Sequence, residues 1–183
     1  MTKPRHSAEI APHPAAKIPP DDLNRKLTMV RPNVDTNLRH IAQVGATDTI
    51  LLTGADTNGR YCLIDILVFP GGGPPLHRHD FEETFTVLEG EIEITFRDET
   101  FVFKTGETVH IPANAPHRFH NQTERDARLL CLCSPAGLEE FLMVLGVPVA
   151  TRTTRPPQSD PAGEAAFKAK AERLAPEYRT ELL

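Results

Sequence analysis

The chain has no basic block and no stripe of interleaved aromatic and basic residues. Its 20 Lys and Arg are outweighed by 25 Asp and Glu, giving a net charge of −5. Without a cationic surface there is nothing to neutralise phosphates, so nucleic acid is not an expected partner. No helix-turn-helix pattern is evident either. No apolar run is long enough for a signal peptide or a membrane helix, so a soluble cytoplasmic protein with no membrane partner is expected. The three cysteines, Cys62, Cys131 and Cys133, are too few for a disulfide framework. Cys131 and Cys133 alternate within an apolar strand-like run and read as small buried hydrophobes. No internal repeat is visible beyond a succession of strands.

Proline, by contrast, is plentiful. Many of the 17 prolines lie towards the two ends, from Pro4 to Pro20 and from Pro156 to Pro161. The 183 residues suffice for one domain with a full core and extra terminal segments. The expected layout is an N-terminal arm at 1–38, a β-barrel at 39–134, and C-terminal helices and tail at 135–183. His6 and His13 in the arm read as solvated. Asp21 or Asp22 can cap a short helical turn ending at Leu27.

Strand signals begin near Arg39. HIAQV and DTILLT come first, then the turn GADTNG, whose Asn58-Gly59 pair is a hairpin signal. Arg60 to Phe69 is apolar on both faces apart from Asp65, so each face needs cover. One side can be a core; an arm, a helix or a second subunit must cover the other. Further strands are expected at Glu82–Leu88, Glu91–Phe96, Thr100–Lys104, Glu107–Ile111, His117–Asn121 and Ala127–Cys133. Short strands with tight turns at this spacing indicate an antiparallel sandwich or barrel, and a barrel leaves no open edge. Ser134-Pro135 reads as the start of a helix with the stripe Leu138, Phe141, Leu142 and Leu145, stopped by Gly146 and packed outside the barrel. Asp160-Pro161 repeats the signal for a second helix to about Ala175. The tail should dock through Tyr178, Leu182 and Leu183, on this chain or on a partner. The two-sided strand and the docking tail together suggest a homodimer.

The chemistry is concentrated between Gly71 and Asn121. His77 and His79 are two apart, so on a strand both side chains share a face. Glu83 follows at an even step, and His117 arrives 34 residues later. Three imidazoles and a carboxylate on one interior face suit a divalent transition metal: iron, manganese, nickel, copper or zinc. Ligand His must be neutral and ligand Glu ionised, so binding should weaken in acid. Four protein donors leave one or two positions open, the layout of a catalytic site. Strand parity prefers Glu83 over its neighbour Glu82, which should face away. His110 reads as a pairing or rim residue, His120 as a non-ligand, and Arg118 as an outer-face residue. Phe85, Val87 and Phe119 share the ligand parity and should wall a pocket for a small, partly apolar ligand.

These residues resemble the two motifs of the cupin superfamily. Gly71, His77, His79, Glu83 and Gly90 stand at the spacing of its first motif, and Gly106, Pro112, His117 and Asn121 at that of its second. Asn114 stands where the family has glycine, and Asn tolerates the left-handed region that such a turn requires. The resemblance implies an all-β double-stranded β-helix, or jelly roll, here carrying the two C-terminal helices and the extended N-terminal arm. Small single-domain cupins are often grouped with quercetin dioxygenases. That grouping implies a metal-dependent dioxygenase acting on an enol, catechol or diketone, with Glu83 doubling as a base if it leaves the metal. A non-catalytic small-molecule-binding cupin, and an isomerase or lyase using the same metal, are the alternatives, because a fold does not fix its chemistry.

Overall fold

The computed structural model describes residues 17–183. His6 and His13 lie outside the described residues. Twelve strands follow the arm: β1 His40–Gln43, β2 Ala46–Leu52, β3 Cys62–Val68, β4 His77–His79, β5 Glu82–Glu89, β6 Glu91–Phe96, β7 Glu99–Lys104, β8 Thr108–Ile111, β9 His117–His120, β10 Ala127–Ser134, β11 Val147–Pro148 and β12 Thr180–Leu182. The helices are α1 Gly54–Thr57, α2 Leu138–Leu145 and α3 Pro161–Leu174. Seven strands form one antiparallel sheet in the order β11-β1-β2-β3-β10-β5-β8, and five form the other, β12-β4-β9-β6-β7. Non-consecutive neighbours in both sheets make this the jelly roll that the sequence implied.

Alternation decides what fills the space between the sheets. The even residues of β3 and the odd residues of β10 turn inward, and Cys62, Ile64, Val68, Leu129 and Cys131 are fully buried there. Phe85, Ile92 and Ile94 join them from β5 and β6. Burying side chains of this size stabilises the fold by roughly 1.5–3 kcal/mol each.

The outer face of β3 is covered by the chain itself. Asp65 is held by the guanidinium groups of Arg128 and Arg152. Arg152 also donates to Asn33 Oδ1 at 2.8 Å, joining the arm to this face. Thr47 Oγ1 donates to the Thr154 carbonyl at 2.6 Å, and the Arg155 guanidinium lies 4.4 Å from the Phe69 ring centre. The tail docks on the same chain. β12 pairs with β4, and the Tyr178 ring lies 5.4 Å from that of Phe141, whereas Leu183 is 55 % exposed. Neither feature that suggested a homodimer therefore requires a second subunit.

Four local readings change. GADTNG is not a two-residue hairpin but a helical turn, α1. Asp56 accepts from the Thr53 backbone N–H at 2.9 Å and from its hydroxyl at 2.7 Å, which satisfies an otherwise orphaned donor. Asn58, at φ 58°, then ends that turn. In the arm, Asp22 caps only a turn, accepting from Asn24 N–H at 3.0 Å, and no helix follows. Helix α2 starts at Leu138 rather than at Pro135, because Ser134 still pairs with Glu82 across β10 and β5 and donates to the Arg60 carbonyl at 2.9 Å. Buried Glu139 instead anchors the start of α2, accepting from Gly137 N–H at 2.8 Å and Gly54 N–H at 2.7 Å. Finally, α2 does not sit on the outside of the barrel. Leu142 belongs to the main core, while Phe141 and Leu145 pack with Ala171 and Leu174 of α3.

The loop that delivers β4 depends on glycine. Gly73 has φ 141°, and a Cβ there would stand 2.1 Å from the Phe119 carbonyl oxygen. Backbone cannot yield as a flexible side chain would. Gly73→Ala should therefore destabilise the metal-free protein by at least about 2 kcal/mol, read from the urea midpoint at unchanged m.

Candidate metal centre

Three strands bring the four residues together. β4 carries His77 and His79, β9 lies beside it with His77 directly opposite His117, and β5 supplies Glu83 from the other sheet. The ring centres are 5.6 Å apart for His77–His79, 4.4 Å for His77–His117 and 4.8 Å for His79–His117. His79, Glu83 and His117 are buried and His77 is half-buried. β12 flanks β4 on its other edge, setting Thr180 opposite His79 and Leu182 opposite His77. The ligand strand is thus paired on both sides, despite its three residues.

Each imidazole is oriented by a carbonyl. His77 Nδ1 donates to Pro75 at 2.9 Å, His79 Nδ1 to Phe81 at 3.0 Å, and His117 Nδ1 to Ala115 at 2.9 Å. A carbonyl only accepts, so Nδ1 must carry the hydrogen and Nε2 of a neutral ring presents a lone pair. The ring of His79 is held further by stacking on Phe81, with 3.7 Å between centres. Glu83 Oε2 stands 3.1 Å from His79 Nε2 and 3.0 Å from His117 Nε2. Two lone-pair acceptors at that distance repel unless something positive lies between them. A proton serves, and so does a metal ion. Donors at right angles and about 2.1 Å from a cation stand about 3.0 Å apart. The donor set therefore fits a divalent ion, and the three imidazoles offer ligand atoms all within 4.8 Å of one another.

The other oxygen of Glu83 meets sulfur. Cys131 Sγ donates to Oε1 at 3.2 Å, with Cys133 Sγ at 3.6 Å. Burial pushes both thiols up, so they stay protonated donors. The two cysteines are buried as expected, but they also orient the carboxylate. That contact follows from register, which sets Cys133 opposite Glu83 and Cys131 opposite Phe85; spacing along one strand does not reveal it.

The charges are mutually adjusted. Burial alone would raise Glu83, but hydrogen bonds and charge from His117 and His79 outweigh it and hold the carboxyl well below its usual range. Burial, then the charge of His117, pushes His77 down to about 4, against the pull of Glu83. Burial also works to lower His117, yet Glu83 outweighs it and raises this ring.

The cluster opens on a cavity of ≈ 610 Å³ that residues of α2 and α3 also line. Ile66, Phe85, Phe119, Phe141 and Leu142 form its apolar walls. Val87 does not line it. It shares the inward face with Phe85 but stands one step of about 7 Å further along β5. There it is buried in the core opposite Leu129. Glu82 is exposed on the outer face, where His110 Nε2 approaches it at 3.1 Å. His120 is half-buried away from the cluster, and exposed Arg118 donates to Thr95 Oγ1 at 3.4 Å. Asn114 takes φ 67° and its N–H donates to the His79 carbonyl at 2.7 Å, so asparagine fills the glycine position without loss of the turn. Asn121 ties the loops instead of the cluster, donating to the carbonyls of Val68 and Arg125. The sequence reading passed over Asp48, which lines the cavity beside Gln43. Parity alone marks Asp48 as inward, since it lies between Ala46 and Ile50 on β2.

Comparison with known proteins agrees with this geometry. A family model described as the cupin domain matches residues 66–133. Quercetin 2,3-dioxygenase of Bacillus subtilis is 29% identical over 101 residues, covering 55% of this chain but only 30% of that protein's length. An uncharacterized protein of Methanocaldococcus jannaschii is 34% identical over 87 residues, covering 47% of this chain and 70% of that protein. Among solved structures, a protein described as a predicted oxalate decarboxylase, from Thermotoga maritima, superposes with a TM-score of 0.53. It is 18% identical, over 58% of this chain and 98% of that one, a likeness of fold.

Proposed function

Because the chain belongs to the cupin superfamily as one of its small members, we propose that it is a metal-dependent dioxygenase acting on a small, partly apolar enol, catechol or diketone. His77, His79, Glu83 and His117 are the ligands in this reading. The observation that carries it is the facing of Nε2 lone pairs and Glu83 Oε2 at 3.1 Å and 3.0 Å, on the wall of a mostly apolar cavity. A bound divalent transition metal supplies Lewis acidity and a template for the reacting oxygens.

The chain's own groups do the rest. The carbonyls of Pro75, Phe81 and Ala115 keep Nε2 of each ring aimed at the centre. Phe85, Phe119 and Leu142 exclude water from the apolar part of the substrate. Glu83 doubles as a base if it leaves the metal: burial then favours its protonated form, and the carboxylate would accept the substrate's acidic proton. Location in the cytoplasm belongs to the same proposal.

The test is oxygen uptake. Protein purified without chelator should contain close to one equivalent of a divalent transition metal per chain. It should consume dioxygen with at least one of a set of flavonols, catechols and diketones. Uptake should be abolished in His77→Ala and His117→Ala. Binding of these compounds without any uptake, whatever the metal, would replace the oxygenase by a non-catalytic binding protein. Product isomerised or cleaved without oxygen consumption would replace it by an isomerase or lyase.

A further inference from the structure

We propose that Asp48, steadied by Gln43, is a second anchoring point in the cavity. It takes a hydroxyl or carbonyl at the far end of a ligand whose near end lies at the imidazole–carboxylate cluster. The proposal rests on the reading of the cavity as a small-molecule site, and it adds the shape and polarity of the ligand.

Asp48 is 0 % exposed, and it lines the cavity. One carboxyl oxygen accepts from Gln43 Nε2 at 2.5 Å. The other, Oδ1, has no hydrogen-bond partner among the described residues. A buried polar atom left open is destabilising, and native proteins rarely keep one without a use. Packing does not ask for an acid here. The cross-strand neighbours of Asp48 are Ile41 and Ile66, and the inward positions before and after it are Ala46 and Ile50. An aliphatic side chain would suit that setting. Nor does a cation explain it. Asp65, one strand away on the opposite face, takes both Arg128 and Arg152. Lys168 lines the same cavity from α3, but its ammonium lies 3.8 Å from Glu172.

Burial, and then the Asp65 charge, push Asp48 up to about 7, while the Gln43 amide works the other way. Near neutrality the group therefore exists in both forms. It donates to a carbonyl when protonated and accepts from a hydroxyl when ionised.

The sheet sets the ligand's length. Asp48 faces Ile66 on β3, Ile66 faces Leu129 on β10, and Leu129 faces Val87 on β5. Glu83 lies two inward-facing steps from Val87. Three strand spacings of about 4.8 Å and two steps of about 7 Å separate the groups along the surface; the concave interior shortens the path. A ligand touching both is elongated, on the order of 10 Å or more. It carries a chelating oxygen pair at one end, a hydroxyl or carbonyl at the other, and an apolar middle against Ile66, Phe85 and Leu142.

Zinc-loaded protein, which does not turn over oxygen chemistry, gives the test. The probes are 3-hydroxyflavone and its derivatives with one further hydroxyl at position 6, 7 or 4′. Kd is read from the absorbance change on chelation for the parent protein, Asp48→Asn and Asp48→Leu. At least one added hydroxyl should tighten binding about five- to tenfold in the parent protein, and that gain should vanish in Asp48→Leu with 3-hydroxyflavone itself bound as before. Metal-free Asp48→Leu should also melt a few degrees higher than the parent protein, because it removes an unsatisfied buried group. Binding of 3-hydroxyflavone with no hydroxyl preference, or a preference retained in Asp48→Leu, overturns the proposal and leaves the cavity reading standing. Lower melting of both Asp48 variants makes the residue structural and overturns it too. No binding of any flavone to the zinc form overturns the cavity reading, and this proposal with it.

Discussion

Replacing His79 or His117 with alanine should lower the affinity for a divalent transition metal at least about 10³-fold. Loss of a supporting hydrogen bond to a ligand typically costs 10–100-fold; loss of the ligand itself leaves the ion short of a donor and should exceed that range. The variants must also be judged without metal. Glu83 is buried and its Oε2 is shared between His79 and His117. Removing either ring takes one partner from a buried carboxylate and should destabilise the metal-free fold by about 1–3 kcal/mol. His77 differs. It is half-buried, and its recorded hydrogen bond is to the Pro75 carbonyl. His77→Ala should thus lose metal affinity as severely while leaving metal-free stability closer to the parent protein. Competition with a chelator of known affinity, alongside urea unfolding of the metal-free proteins, separates the two effects. Metal affinity unchanged in all three variants would remove the cluster as a metal site.

Legibility in the sequence followed the range of the physical rule involved. His77 and His79 lie two apart on β4, and period-two alternation brings both to one face. Glu83 does not share that strand, because the chain breaks at Asp80 and Phe81 and β5 brings the carboxylate in from the facing sheet. Phe85 on β5 and Phe119 beside His117 obeyed the same rule. Val87 obeyed it too and still missed the cavity, because parity fixes a face but not a depth. Cys131 and Cys133 were correctly placed inside. Their contact with Glu83 depends on β10 pairing with β5 in one register, set by residues nearly 50 positions away. The tail illustrates the same limit. Its apolar residues announced docking, but only the sheet order reveals that β12 borders the strand carrying His77 and His79. Helix starts failed locally for a competing reason. Ser134-Pro135 has the composition of a cap, but Ser134 gains more as the last rung of a strand. Asp160, with no strand to extend, does cap α3, accepting from Gly163 N–H at 2.8 Å.

Acid should strip the metal and, separately, weaken the metal-free fold. His77 is held at about 4 when folded, against 6.5 for the free group. Between these values the unfolded chain takes up a proton that the folded chain refuses, so stability falls as pH falls, by roughly 2–3 kcal/mol across the window. Glu83 is depressed from 4.5. Its contribution is present above that value and is lost at still lower pH. His117 is raised, so its contribution is present below 6.5 and lost as pH rises through its folded value. Asp48, raised to about 7 from 3.8, also loses stability as pH rises through that range. The metal-free protein is therefore pulled in opposite directions near neutrality. Metal removes this balance at the cluster, because the ion takes the place of the proton between His117 and Glu83. Each proton that it displaces makes its affinity fall about tenfold per pH unit of acidification below the pKa concerned. The melting shift produced by saturating zinc should accordingly shrink steadily between about pH 8 and pH 5, as binding linkage requires. Subtracting the metal-free melting temperature at each pH largely cancels Asp48, which does not touch the cluster. A zinc-induced shift that stays level across that range would mean that no proton leaves these rings when the ion binds, and that the ion sits elsewhere.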